Sequence, residues 1–181
     1  MVIGSPPCTA FSQLVALNTH VQGPEWIKKH QKEREQAVEH VRFCAKIFKM
    51  QMARGRYFLM EHPAFASSWQ LDELKELLEE PTVMRVRADQ CMYGLTTPGP
   101  DRRTPMPAMK PTAFLSNSWC VLSELSKRCD HSHQHQHLMG GRARDAAIYP
   151  RLLCEAIARG YARQKKYDVR GKSCTGNLDD M

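Results

Sequence analysis

Apolar positions along this chain fall into two alternating rhythms. Met1-Val2-Ile3 is a short unbroken apolar run entering Gly4-Ser5-Pro6-Pro7, a strand handing over to a turn stiffened by prolines. From about Glu25 to Met52 the period lengthens, with Trp26, Ala37, Val41, Ala45, Phe48 and Met52 at helical spacing among Lys, Glu and Arg. This predicts a long amphipathic helix that Gly55 stops. Arg56 to Met60 reads as an apolar strand ending at Glu61-His62-Pro63, Leu71 to Glu80 as a shorter helix closed by Pro81, and Thr82 to Val86 as another strand. Thr96 to Pro111, rich in proline, reads as a loop. Thr112 to Leu115 reads as a strand, Trp119 to Cys129 as a helix, Asp130 to Arg144 as a polar histidine-rich segment and Ala146 to Arg163 as a helix. After Tyr167 the composition predicts a disordered tail over residues 168–181.

Strand, helix, strand, helix, strand in that order predicts an α/β fold with a mostly parallel sheet flanked by helices, a partial Rossmann-like arrangement. Ligand sites of such sheets lie beyond the carboxyl ends of the strands, where Cys8 and Glu61 both fall. Length and composition add bounds rather than identity. A chain of 181 residues with 42% hydrophobic content fits one domain with a real core, 1–167 before the tail. Its formal charge of +7 suits a polyanionic partner. Seven dispersed cysteines argue against a small disulfide scaffold and for reduced thiols. No apolar run is long enough for a membrane span, which predicts an intracellular protein, nuclear or cytoplasmic, without a membrane partner. The abrupt apolar start predicts that an upstream portion is missing.

Two short blocks carry the chemistry. Gly4-Ser5-Pro6-Pro7-Cys8-Thr9-Ala10-Phe11-Ser12 sits at the exit of the first strand, and Glu61-His62-Pro63 ends the second. Together with Tyr93-Gly94, Lys110-Pro111-Thr112-Ala113-Phe114-Leu115 and Ile148-Tyr149-Pro150, in that order, they resemble the DNA (cytosine-5-)methyltransferases, particularly the short, divergent phage-like members. The resemblance implies Cys8 as catalytic nucleophile and Glu61 as the carboxyl that orients the base. It implies substrate contacts from Ser5, Pro7, Ser12, His62, Pro63 and Lys110, S-adenosylmethionine as cofactor, and DNA or RNA as partner. Similar segments occur in retroelement polyproteins of unicellular algae, so other regions of a larger polyprotein are implied as partners too.

The chemistry itself is elementary. Carbon 5 of cytosine is a weak nucleophile, and addition of a thiolate to carbon 6 turns the ring into an enamine that can attack a methyl group on sulfonium. A carboxyl near nitrogen 3 and the exocyclic amine holds the ring and stabilises the charge developing there. The base must first leave the stack, at about a few kcal/mol.

This sequence also departs from the family's pattern. His62 stands where asparagine is usual, and Lys110-Pro111-Thr112 where a pair of arginines is usual, although Arg85, Arg87, Arg102 and Arg103 are near in sequence. A glycine-rich strand-turn-helix unit for the methyl donor is not found, since Gly140-Gly141 sits among His and Arg. The alternative of a catalytically silent nucleic-acid-binding module with the same fold therefore stays open.

The remaining chemistry lies in Cys129, His131, His133, His135 and His137, which alternate with Asp, Ser and Gln. Thiol and imidazole ligands so close together point to zinc, with Cys129, His131, His133 and His137 as the predicted ligands and Cys91 or Cys120 able to complete a tetrahedron. A metal-stabilised structural domain would follow, while a solvated polar loop would carry the same residues. His137 to Arg144 offers a third use, glycines and arginines on a phosphate. Trp26, Trp69 and Trp119 read as packing residues rather than base-stacking ones.

Overall fold

The computed structural model describes residues 1–12, 23–138 and 142–171. The fold is mixed α/β, and the chain divides into two compact units, Met1–Arg85 with Leu115–Asn117, and Val86–Phe114 with Ser118–Met181. Two of its strands are divided between them: β3 (Met84–Asp89) ends, and β6 (Pro111–Ser116) begins, in unit 2.

Unit 1 opens with β1 (Val2–Gly4), which pairs in parallel with β2 (Phe58–Pro63) through Val2↔Phe58, Ile3↔Leu59 and Gly4↔Met60. Parallel pairing needs a crossover, and α1 (Pro24–Ala53) lies within the connection. Pro24 starts this helix without losing a needed donor, and Glu25 meets its positive end. Its buried stripe is Ala37, Val41, Ala45 and Phe48, and Gly55, left-handed at φ 63°, turns the chain away after Ala53. Phe48 stacks on Phe58 with ring centroids 4.5 Å apart. Gly4 has no side chain because a Cβ there would lie 2.7 Å from the Phe48 ring. The second helix, α2 (Asp72–Glu79), buries Leu74 and Leu77 and is tied to α1 by Arg42–Glu73 at 2.6 Å and Lys49–Glu76 at 2.5 Å. Arg42 beside Glu73 holds that carboxyl below the usual carboxylate range.

The four-stranded sheet has the order β1-β2-β6-β3. Its sense corrects the expectation of a mostly parallel sheet. Ser116, at the end of β6, donates to the carbonyl of Phe58, at the start of β2, over 2.5 Å, and Asn117 brackets that point by accepting from Phe58 N and donating to Arg56 O. Those two strands therefore run in opposite senses. In unit 2 the end of β3 meets the start of β6, with Gln90 N donating to Lys110 O and Gln90 Nε2 to Thr112 Oγ1, so this pairing is antiparallel as well. The reason is the connection: β3 reaches β6 through turns and a hairpin, with no crossover helix to carry the chain back. A Rossmann-like, parallel-dominated sheet is not what these pairings form.

In unit 2 the region 96–111, expected as loop, holds the antiparallel hairpin of β4 (Thr96–Pro98) and β5 (Pro105–Pro107). Asp101 shapes its tip by accepting from the backbones of Arg103 and Thr104. Then come α3 (Trp119–Glu124), α4 (Arg142–Asp145) and α5 (Arg151–Val169). α3 ends five residues before the predicted Cys129, and α5 begins at Arg151 rather than Ala146 because Pro150 sits at its cap. α5 reaches Val169, two residues into the stretch 168–181 expected as a tail, of which 172–181 lie outside the described residues. α3 and α5 approach closely at Gly160, where a Cβ would lie 2.6 Å from the Cys120 carbonyl oxygen. Buried Ser118 caps α3 at Val121 N and donates to Gln164 Oε1 of α5 at 2.7 Å. Among the described residues no helix is long and apolar enough to cross a membrane.

Candidate functional site

In unit 1 the sequence-predicted nucleophile follows β1 by four residues, and the predicted carboxyl lies within β2, the strand paired with β1. Gly4 is in register with Met60, so the chain leaves β1 toward Cys8 at the level where β2 presents Glu61. Cys8 opens a single 3-10 turn, Thr9–Phe11, closed by Phe11 N donating to Cys8 O over 3.0 Å. The thiol-bearing residue is half-buried, and Glu61 is nine-tenths buried at 7% exposure.

An aromatic stack holds this turn against β2. The rings of Phe11 and His62 meet edge to face at 6.0 Å, and His62 meets Trp69 in the same way at 5.9 Å. All three are buried, with His62 fully enclosed, so the histidine at the position after Glu61 serves packing. Trp69 donates Nε1 to the Pro63 carbonyl at 2.8 Å, which secures the end of the Glu61-His62-Pro63 block. Two exposed arginines lie over the outer rings, Arg34 over Phe11 at 5.4 Å and Arg85 over Trp69 at 5.0 Å. Sequence reading assigns Trp69 to packing, as found, and gives no site role to Arg34. The signal for Arg34 exists only in three dimensions, through its bond to Ser67 Oγ, which in turn donates to the Phe11 carbonyl.

Of the other predicted substrate contacts, Ser5 and Pro7 are exposed in the loop before Cys8, and Ser12 follows the 3-10 turn. Lys110 belongs to unit 2, where its ammonium donates to the Ala146 carbonyl at 3.2 Å.

Unit 2 holds the thiol and imidazole cluster. The ligand atoms of Cys91, Cys129, His133 and His135 all lie within 4.8 Å of one another. Cys129 Sγ is 3.7 Å from His133 Nε2 and 3.4 Å from His135 Nε2. Of the predicted ligands the cluster contains Cys129 and His133, with Cys91, one of the two thiols expected to complete it; His135 takes the place of His131 and His137, which are exposed and outside it. His131 has left-handed backbone at φ 60°, which reverses the chain and brings its own N–H onto Cys129 Sγ at 3.3 Å. That reversal is what an extended-chain reading of the every-second histidines misses. Cys120, the other thiol considered, is fully buried on α3 and disulfide-bonded, contrary to the expectation of reduced cysteines throughout.

Asp89 underlies the cluster. Its carboxylate is 1% exposed and accepts from Cys129 N and Arg128 Nε, both at 3.0 Å. Burial opposes its ionisation, but these two donors and the charges of Arg128 and Arg87 outweigh that, so it titrates below the usual range. Burial, with Cys129 alongside, pushes the Cys91 thiol up to about 12. His135 is held below its ordinary value by burial and by the neighbouring His133 and His131. A divalent cation among the four would reverse that penalty on thiolate.

The fit to S-adenosylmethionine is different. Gly4 packs on Phe48, Gly55 and Gly94 close turns with positive φ, Gly99 sits in the hairpin with Thr104 O 2.9 Å from a Cβ position, and Gly160 is locked in α5. Gly23 caps α1, but the residues before it, 13–22, are outside those described, as are Gly140 and Gly141. Among the described residues no glycine-rich strand-to-helix cradle fits the methyl donor. No family model, curated protein or solved structure matches this chain.

Proposed function

We propose that unit 1 carries the nucleophile half of a cytosine carbon-5 methyltransferase-like site, acting on a nucleic acid. The observation that carries this reading is the register of β1 and β2, in which Gly4, four residues before Cys8, lies level with Met60, the residue before Glu61, toward the carboxyl ends of two parallel strands. Cys8 is the thiol that adds to carbon 6 of a flipped cytosine, forming the S–C6 bond while the C5–C6 π pair moves onto carbon 5. Glu61 holds the ring edge and stabilises that charge. Arg34 and Arg85, exposed beside the stack, supply cations for phosphate, in line with the excess charge of +7. S-adenosylmethionine is the donor the resemblance implies.

Thiol addition has a consequence that needs no donor. Once carbon 5 carries the electron pair, a solvent proton can add there, and reversal expels either hydrogen, so the original hydrogen at carbon 5 exchanges with water. The full chain incubated with an oligonucleotide tritiated at cytosine carbon 5 should release tritium, Cys8→Ala should abolish release, and Glu61→Gln should slow it by about a hundredfold or more. Absence of release from the unaltered chain, with oligonucleotide binding equal in Cys8→Ala, would leave a silent binding module instead.

A further inference from the structure

We propose that Cys91, Cys129, His133 and His135 hold one zinc ion as a closed tetrahedral site, independent of the Cys8 chemistry, that staples the segment after α3 to the turn following β3. With zinc about 2.3 Å from sulfur and about 2.0–2.1 Å from nitrogen, the sulfur-to-nitrogen edge of a tetrahedron is about 3.6 Å. The two such edges seen from Cys129, 3.7 and 3.4 Å, bracket that value. Two thiols and two imidazoles are a donor set that selects zinc, and four protein ligands leave no open position, the mark of a structural rather than a catalytic ion.

The surroundings are those of a built site. Asp89, buried beneath it, fixes the Cys129 backbone, and the His131 N–H donates to the Cys129 sulfur, the kind of outer partner that orients a thiolate ligand. His131 adopts a left-handed conformation that a non-glycine residue rarely takes, and that backbone is what lets the chain fold back so that His133 and His135 face Cys129. Backbone pinning continues beyond the site, with Gln136 N donating to Pro107 O at 2.8 Å. From Cys129 to Leu138 the chain has neither helix nor strand, so the folded course of this stretch depends on such point attachments. Zinc would be the strongest of them, joining Cys91 to ligands about forty residues further on.

The test is metal analysis of the full chain freed of any affinity tag. Zinc should copurify at one ion per chain. Cobalt(II) put in its place should give the intense visible bands of tetrahedral coordination together with a thiolate-to-cobalt charge-transfer band. Cys91→Ser and Cys129→Ser should each weaken zinc binding by about a hundredfold or more, at least the loss seen for outer-shell partners. His137→Ala should leave it unchanged. A pale octahedral cobalt spectrum with no charge-transfer band would overturn the site, and this reading uses the unaltered chain, so it decides even where a cysteine variant fails to fold. Binding that survives both serines but falls with His137→Ala would equally overturn it, as adventitious capture by a histidine tract.

Discussion

Unit 1 places its chemistry by packing, and unit 2 places its own by hydrogen bonds and turns. Glu61 sits in a strand whose preceding residues Phe58, Leu59 and Met60 are all fully buried, and the Cys8 turn is pressed against that strand by Phe11, His62 and Trp69. Cys129, His133 and His135 occupy a stretch without regular structure, steered by a buried carboxylate and one left-handed residue. A site of the first kind tolerates changes in its polar groups and is destroyed by loss of volume beneath it. One of the second kind has little volume to lose, and single polar groups decide its shape.

That contrast can be broken most forcefully at Phe58. Replacing this fully buried ring with alanine, opposite Phe48, should cost about 3–5 kcal/mol in denaturant unfolding, and retention of nearly full stability would refute a packing-based unit 1. Asp89→Asn tests the other half. It keeps shape but removes the charge that receives Cys129 N and Arg128, and should cost about 1–3 kcal/mol in thermal unfolding, far more than a neutral surface change. Below these in size stands His131→Gly, which meets the φ of 60° without strain. It should change stability by less than about 1 kcal/mol and leave zinc affinity as it was, whereas loss of the ion would make His131 a ligand rather than a hinge.

The smallest effect is a titration. Because Arg42 holds the folded-state value of Glu73 below its unfolded one, the pair's contribution is complete above the ordinary glutamate pKa of about 4.3 and fades as pH falls through the lower folded value. Carboxyl resonances followed by NMR should show Glu73 returning upward in Arg42→Gln, and no movement would mean that solvent has already screened the pair.

Much of unit 1 was legible in the sequence because burial there follows periodicity. The stripe Ala37, Val41, Ala45 and Phe48 announces α1, and two apolar runs announce β1 and β2, although β2 runs on through Glu61 to Pro63 rather than ending before it. The sense of β6 was not legible, since strand direction is set by the connection and not by the residues within the strand, and the hairpin that makes it hides in a proline-rich stretch that reads as loop. The cluster was half legible. Composition flagged the residues from Cys129 to His137, but the positive φ at His131 lies behind which histidines turn inward, and spacing alone leaves Cys91 and Cys120 as equal candidates for the second thiol. The aromatic clamp on Cys8 was invisible for the same reason: Phe11, His62 and Trp69 meet only after β1 and β2 have paired.

The brevity of β1 bears on time rather than place. It is the outermost strand of its sheet and joins β2 over three residues, with Val2 N donating to Tyr57 O just before the ladder begins. So short an edge gives a foreign strand little to pair with. It also gives the Cys8 turn an anchorage that can open locally while β2 and the helices stay folded, so amide deuteration of β1 should run ahead of that in β2. The lifetime of that closed ladder, rather than the stability of the whole unit, then sets how often the Cys8 turn comes free of β2.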